Sequence, residues 1–444
     1  MMPREETSTS TPSPSSMSEA DHEEALAFLD RLDLVEAILA DLTTLGLVGE
    51  DDNKFLAYLV ATSRKLDKPL SLSVISRASA GKSWLLTRVI ELMPVEDVMR
   101  YTRISPRALF YDEPGRYKNK ILFIEEAIGA KEADLPVRSM QSERRLSNLV
   151  TMTDPKTGKL KTQETVVEGP LTYLTSSVEP LDYETATRSF EIAIDESVEQ
   201  TARVVARQFH EHTLDGVREH LATEAIVRRH RNAQRLIEPF VVVNPHAPKL
   251  RFPTGTLRLR REALKYLSLM AVLALLHQHQ RPVRTFTQNG VTYRYVEVYP
   301  ADVDRANRLM AECLARALSD LPGPAQELLL KIQAYVTEQA GQRRLDPEAI
   351  TFNRREIRER LEWDDRQLRR NLDLLAEQEY VEVVAGSFGK RYVYRLSPDH
   401  RLIVQAGLSV EEKIRALGLT ASRDLETPSR SDLDEEKPTL RRKP

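Results

Sequence analysis

The sequence predicts a three-layer α/β domain, followed by a mainly helical region and a small unit of helices and a hairpin. Three observations carry this reading. Five short apolar runs alternate mostly with helical segments, as parallel strands with crossover helices do. They are Leu70 to Ile75, Val98 to Ile104, Ile121 to Ile124, Leu171 to Leu174 and Phe190 to Ile194. From about Glu196 to Asp320, most apolar residues recur at helical spacing. Residues 323 to 396 follow a different order, three helices and then two strands.

Taken along the chain, residues 1–20 are rich in Ser, Thr and Pro and are expected to be disordered. Residues 21–66 are N-terminal helices. One stretch is marked by Ala25, Phe28, Leu29, Leu32, Val35, Ile38 and Leu39, and another runs from about Asp52 to Lys65. Residues 67–196 form the α/β core and 197–320 the helical lid. The lid is interrupted by Pro239 to Pro253 and by a hairpin around Asn289-Gly290. In residues 321–400, helices over Ala325 to Gln339, Asn353 to Leu361 and Asp365 to Gln378 precede strands over Tyr380 to Val384 and Arg391 to Leu396. The strands are joined by Gly386-Ser387-Phe388-Gly389, which completes a winged-helix layout. Residues 401–444 read as a charged tail, disordered after Thr420.

Composition narrows the function classes. A chain of 444 residues supports several packed cores. Net charge is -3, from 64 basic and 67 acidic residues, so a nucleic-acid partner is neither demanded nor excluded. The single cysteine, Cys313, excludes an intrachain disulfide, a CxxC zinc finger and an iron–sulfur cluster. The apolar run Tyr266 to Leu276 is too short to span a bilayer, and no secretory signal pattern opens the chain. The expectation is a cytoplasmic protein with no membrane partner.

The sharpest motif follows the first apolar run: Ser76-Arg77-Ala78-Ser79-Ala80-Gly81-Lys82-Ser83. It matches the nucleotide-binding P-loop except at its first position, where Ser76 replaces glycine. A strand precedes it and Trp84 to Leu92 reads as a helix, which is the required context. Backbone N–H groups around Ser76, Ala80 and Gly81 would cradle phosphates. Lys82 would reach the β- and γ-phosphates of ATP, and the Ser83 hydroxyl would bind Mg²⁺. The Cβ of Ser76 is expected to strain a tight turn.

A second motif ends the third run, Ile124-Glu125-Glu126. Its carboxylates fall at the C-terminal edge of a strand, where ligands bind in open α/β sheets. Glu125 would hold Mg²⁺ and Glu126 would polarise the attacking water. The fourth run ends in hydroxyls, and Thr175 or Ser176 would orient the water or touch the γ-phosphate. Arg188 lies just before the fifth run, placed either as a finger for a neighbour's ATP or as an ordinary ion-paired arginine.

In this order the elements resemble an AAA+ or superfamily 3-type helicase ATPase. More narrowly, they resemble the helicase part of bacterial primase–helicase proteins carried on phages and mobile elements. The resemblance covers about residues 45 to 320. It rests on the Ser-rich P-loop, Ile124-Glu125-Glu126-Ala127, Met140-Gln141-Ser142-Glu143, Thr153 to Lys159, Val167-Glu168-Gly169-Pro170 and His277 to Val283. It implies that the extra strand in the chain between the P-loop and the acidic strand separates catalytic-Glu ATPases from kinases and GTPases. It also implies a homo-oligomeric ring, with sites at subunit interfaces and single-stranded DNA in a central channel. The chain has no zinc or toprim primase region, so the resemblance implies a motor whose primase is a separate partner.

The DNA-contact candidates lie in two places. Leu149 to Thr153 and Leu160 to Val167 flank a turn and form a hairpin that resembles the channel-lining hairpin of ring helicases. Lys156, Lys159 and Lys161 cluster at its tip, where they would meet a strand backbone. In the C-terminal unit, Arg366, Arg369 and Arg370 lie opposite the apolar stripe Leu368, Leu372 and Leu375, while Lys390 and Arg391 lie at the wing. Such a helix suits a duplex major groove. Arg228, Arg229, Arg231 and Arg235 read as a solvated basic face. His210-Glu211-His212 and His277-Gln278-His279 read as surface or capping histidines rather than metal ligands. Three functions remain open on these residues: a DNA translocase or helicase, a non-motor AAA+ loader or remodeller, and a winged-helix regulator with a nucleotide switch.

Overall fold

A computed structural model of the chain describes residues 17–77, 80–105, 108–110, 115–125, 134–153, 160–178, 183–254, 257–319, 323–358, 365–386, 392–397 and 409–425. The chain divides into two compact units. The first is built from residues up to 246 together with 267–302, and the second from 247–266 together with 303–425.

The first unit opens with α1 (Glu19–Leu29) and α2 (Leu34–Thr44). The Ser18 hydroxyl caps α1 by accepting the Asp21 N–H at 3.1 Å. The apolar spacing had suggested one continuous stretch here. Instead the chain breaks at Asp30 to Asp33, where Arg31 pairs with Asp33 at 2.7 Å and Leu32 turns outward, 96% exposed. Aspartates favour helix ends over helix interiors, because their carboxylates compete for the backbone. α3 (Asp51–Thr62) is buried along nearly its whole length.

The α/β layers follow in chain order. They are β1 (Leu72–Ile75), α4 (Lys82–Glu91), β2 (Val98–Tyr101), β3 (Lys120–Ile124) and α5 (Asp134–Glu143). An antiparallel hairpin, β4 (Arg145–Thr153) with β5 (Leu160–Glu168), comes next. β6 (Leu171–Ser177), α6 (Tyr183–Ala186) and β7 (Phe190–Ile192) complete the set. The central sheet has the order β2-β3-β6-β1-β7, and every pairing in it is parallel. Each strand falls on one of the five apolar runs. β6 lies between the P-loop strand β1 and the acidic strand β3.

Alternation along these strands gives the sheet two apolar faces. Leu122, Ile124, Leu171 and Tyr173 pack with Val137 and Met140 of α5 and with Leu146 and Val167 of the hairpin. The neighbouring positions, Leu72, Val74, Phe123 and Leu174, are equally buried and belong to the opposite face. α4 packs on the sheet there, turning Leu85, Leu86, Val89 and Ile90 inward.

α7 (Val198–Glu211) and α8 (Leu214–Leu236) follow, capped by Ser197 and Thr213. The arginines of α8 are not the solvated face expected from sequence. Arg228 pairs with Asp21 at 3.1 Å, Arg229 with Asp41 at 2.7 Å and Arg235 with Glu96 at 2.8 Å. Arg231 Nε donates to the Glu91 carbonyl at 2.9 Å. These are docking contacts, and they hold α8 against elements far away in sequence. The rest of the unit contains β8 (Val241–Val243), the end of α9 (Leu257–Leu276), β9 (Arg284–Gln288) and β10 (Val291–Glu297). The β9–β10 turn is Asn289-Gly290, with left-handed φ of 51° and 75°, as a two-residue hairpin loop requires.

The second unit contains most of α10 (Pro300–Ser319), α11 (Gly323–Arg343), β11 (Thr351–Asn353), α12 (Arg354–Arg358) and α13 (Asp365–Glu377). It closes with β12 (Val381–Ala385), β13 (Val393–Leu396) and α14 (Val410–Ala416). The sheet order is β11-β13-β12, antiparallel throughout. Leu328 and Ile332 of α11 share a core with Leu368 and Leu372 of α13 and with Tyr394 of β13. β11 was not foreseen, because three residues carry no readable period and the strand is visible only through its pairing with β13. α14 falls inside the stretch read as a charged tail, and its signal is the Ser409–Glu412 capping box. Among the described residues, no helix is long and apolar enough to cross a membrane.

Candidate active site

The site is built where β1 runs into α4. Gly81 caps α4 in a left-handed conformation, φ 94°, with no side-chain cap. A Cβ-bearing residue would be strained there. The first bond of the α4 ladder runs from the Leu85 N–H to the Gly81 carbonyl at 3.0 Å. The N–H groups of Lys82, Ser83 and Trp84 therefore precede the ladder and face the loop mouth, as an anion site requires. Ala80 and Gly81 line a cleft beside them.

Ser76 does not strain the turn as expected. Its φ is not left-handed, so no glycine is needed there. Its hydroxyl donates to the Ile75 carbonyl at 2.7 Å and accepts the Ile194 N–H at 2.8 Å. The serine thus ties the start of the loop to the end of β7. Lys82 is buried, and its Nζ donates to the carbonyls of Ser76 and Arg77, each at 2.6 Å. The Arg77 N–H donates to Glu196 at 2.9 Å. Ser83 is exposed at the helix start.

Glu125 follows β3 directly. Arg100 of β2 donates to its carboxylate from Nε at 2.7 Å and reaches the Thr87 hydroxyl of α4 at 3.4 Å. Thr87 lies one helical turn beyond Ser83, on the same face. Arg100 therefore marks the Glu125 carboxylate as lying on the α4 side of the sheet, toward the helix that carries Ser83. A hydroxyl and a carboxylate are hard oxygen donors of the kind Mg²⁺ takes. In the structure the Glu125 carboxylate is paired with Arg100. Glu126 lies outside the described residues.

The two hydroxyl candidates on β6 are separated by strand alternation. Ser176 donates to the Glu125 carbonyl and so braces the end of the acidic strand. Thr175 points to the other face, fully buried, with no hydrogen-bond partner for its Oγ1. Arg188 is anchored within its own chain. Its Nε donates to Ser142 at 3.0 Å and its Nη1 to the Glu184 carbonyl at 2.6 Å.

The nucleic-acid candidates are only partly in view. Lys156, Lys159, Lys390 and Arg391 lie outside the described residues. Lys161 belongs to β5. On α13, Leu368, Leu372 and Leu375 face the core, while Arg366, Arg369 and Arg370 are exposed. Arg369 sits 3.6 Å from Asp373. Of the histidines, His210 bonds Glu219 at 3.0 Å and His277 Nδ1 bonds the Leu273 carbonyl at 2.8 Å.

Two parts of the site escaped the sequence. One is Arg100, whose partner is set by the β2–β3 pairing. The other is the cleft of about 670 Å³ beside the P-loop, walled by Leu47, Val48, Leu85, Ile194 and Val204, with Gln200 among its lining residues. Its near wall includes Gly46, Leu47 and Val48, and the glycines on either side of Leu47-Val48, Gly46 and Gly49, are both left-handed. Buried Lys54 holds that segment by donating to the Leu47 carbonyl at 3.2 Å. The Gly-Leu-Val-Gly spelling was the available signal, and it is too short to be specific.

A family model described as MTBMA_p00010 P-loop domain matches residues 18–231. No curated protein matches the chain. The matched residues run from α1 into α8 and include β1, the loop and β3. The matched segment is thus similar to a P-loop domain, and it carries the parallel α/β sheet.

Proposed function

We propose that the protein is an ATP-driven DNA translocase or helicase motor of the primase–helicase type, working as a homo-oligomeric ring with a separate primase. The observation that carries this reading is the hairpin β4–β5, two nine-residue strands inserted between the acidic strand β3 and the hydroxyl-bearing strand β6. An insertion there joins the acidic strand to a hairpin whose connecting sequence contains Lys156 and Lys159. The strand order, with β6 between β1 and β3, supports the catalytic-Glu class of ATPase.

In this reading the α4 N-terminus and Lys82 hold the phosphates, Ser83 and Glu125 hold Mg²⁺, and Glu126 takes the proton of the attacking water. Mg²⁺, when bound, neutralises charge on the phosphate oxygens. Ser176 keeps the acidic strand end in place. The second unit is a winged helix, with Arg366, Arg369 and Arg370 toward duplex DNA.

The test is steady-state ATPase activity with and without single-stranded DNA. Lys82→Ala is expected to abolish nucleotide binding, and Glu126→Gln to keep binding and lose turnover. Replacing both Lys156 and Lys159 with Ala is expected to remove DNA stimulation while leaving basal turnover. Turnover indifferent to DNA in the parent protein would refute the motor. A second reading, a non-motor remodeller or a nucleotide-switched DNA-binding regulator, draws on Arg188. Its guanidinium is held by Ser142 and Glu184 of its own chain, which suits an arginine with a structural role.

A further inference from the structure

The hairpin β9–β10 carries aromatic side chains that stand outside the core. Cross-strand register puts Phe286 opposite Tyr293, and Tyr295 opposite both Arg284 and Val241 of β8. Paired residues share a face, and successive residues alternate between faces. Val296 is fully buried, so Phe286, Tyr293 and Tyr295 lie on the face turned away from the core. Val291 is on that face too. An antiparallel sheet ordinarily keeps apolar residues inward and puts polar ones outward. Here Thr285, Thr287, Thr292 and Arg294 share the face of Val296. Phe286 and Tyr293 on the other are each 40% exposed, and Val291 is 52% exposed.

The rings form an ordered cluster. Phe286 and Tyr293 stack with 5.1 Å between centroids and an interplanar angle of 16°. Tyr295 meets Phe286 edge-on at 5.9 Å. Planar ring faces suit planar ligands, and every nucleobase can stack on them. The charge along the hairpin has the matching sign for a polyanion. From Arg281 to Val296 the chain carries three arginines and no carboxylate. Arg284 stands on the aromatic face and Arg294 on the other, both partly exposed. Arg284 lies 3.4 Å from Glu297 and Arg294 2.8 Å from Glu238. Water-exposed ion pairs contribute little, so a phosphate can compete for either guanidinium.

We propose that this face of the β9–β10 hairpin is a stacking platform for the bases of single-stranded nucleic acid. The proposal rests on the DNA reading of the protein and adds a contact in a hairpin other than β4–β5. The two hairpins supply different kinds of affinity. In that reading Lys156 and Lys159 meet phosphates, so their contribution weakens as salt rises. The rings of Phe286 and Tyr293 meet bases, and stacking releases no counterions. A face that instead docked a second copy of the chain would need apolar area but not planar rings.

The test is equilibrium binding of oligothymidine, about 20 nucleotides long, and of an abasic strand of the same length to the full chain over a salt series. The parent protein is expected to bind oligothymidine at least about tenfold more tightly than the abasic strand. Phe286→Ala with Tyr293→Ala is expected to weaken oligothymidine about 10- to 100-fold, with the salt slope and abasic binding unchanged. Phe286→Leu with Tyr293→Leu keeps apolar area without the rings and is expected to lose most of the same affinity. Parental affinity for oligothymidine in either double variant would overturn the proposal. So would an equal loss on both strands with a lowered salt slope, the sign of a phosphate contact. Self-association that the alanine variant abolishes, at parental oligothymidine affinity, would make the face a subunit interface instead. A parent protein that binds neither strand would bring down the DNA reading, and this proposal with it.

Discussion

At one end of the parallel strands β2 and β3, Arg64 Nε donates to Asp97 at 3.0 Å; at the other end, Arg100 Nε donates to Glu125 at 2.7 Å. The chemistry of the two pairs is the same and their surroundings are opposite. Arg64 is fully buried, and it also donates to Gln234 at 2.9 Å and to the Ala61 carbonyl at 3.2 Å. Asp97 takes a second cation, Lys120, at 2.9 Å. Burial works against the Asp97 carboxylate, but Arg64 and Lys120 outweigh it and hold the group below the usual carboxylate range. The pair at Arg100 is open to water on both sides, 48% and 30% exposed. A closed, multiply bonded pair locks helices to the sheet. An open pair at a strand end is screened by water and contributes little to holding the fold.

The largest expected effect comes from breaking the closed pair. Arg64→Met leaves Asp97 a half-satisfied buried charge and is expected to cost about 3–5 kcal/mol of stability. The urea unfolding midpoint measures it, and a shift within the error of that of an exposed pair would erase the contrast. Adding Asp97→Asn to Arg64→Met is expected to recover part of the loss.

Next in size is a pH effect at another closed node of the same docking layer. His230 of α8 is fully buried, bonded to the Tyr58 hydroxyl at 3.1 Å and to Asp41 at 2.9 Å. Burial outweighs the attraction of Asp41 and pushes its pKa below the ordinary histidine value. The folded state then binds fewer protons than the unfolded chain, so stability falls as pH drops below about 6.5. Unfolding midpoints at pH 8 and 5.5 check this, with His230→Asn expected to flatten the dependence. A parental midpoint that rose on acidification would reverse the sign.

The smallest effect on stability belongs to the open pair. Arg100→Ala is expected to change stability by less than about 1 kcal/mol, as exposed pairs do. It is also expected to lower the Mg²⁺ concentration that half-saturates turnover, because Glu125 loses a competing cation. A large loss of stability, or an unaltered Mg²⁺ requirement, would show that the two ends of the strands are not so different.

What could be read from the chain beforehand divides along the same line. The five strands and the loop before α4 were legible, because apolar runs and a Gly-Lys-Ser step before a helix are local signals. The hairpin turn at Asn289-Gly290 was legible for the same reason. The break between α1 and α2 was missed, because Leu32 continues the apolar spacing although the aspartates around it end the helix. Arg100 with Glu125 and Arg64 with Asp97 were not legible. Each pairing depends on which strand lies beside which, or on where a helix docks. The arginines of α8 were misread for that reason, since their partners Asp21, Asp41 and Glu96 are distant in sequence and nothing near them announces a contact.

Lys82 Nζ donates to the carbonyls of Ser76 and Arg77, two bonds within its own loop. A phosphate that takes the ammonium has to replace both. A polyphosphate engages the lysine and the α4 N–H groups together, and so offsets that exchange better than a single phosphate can.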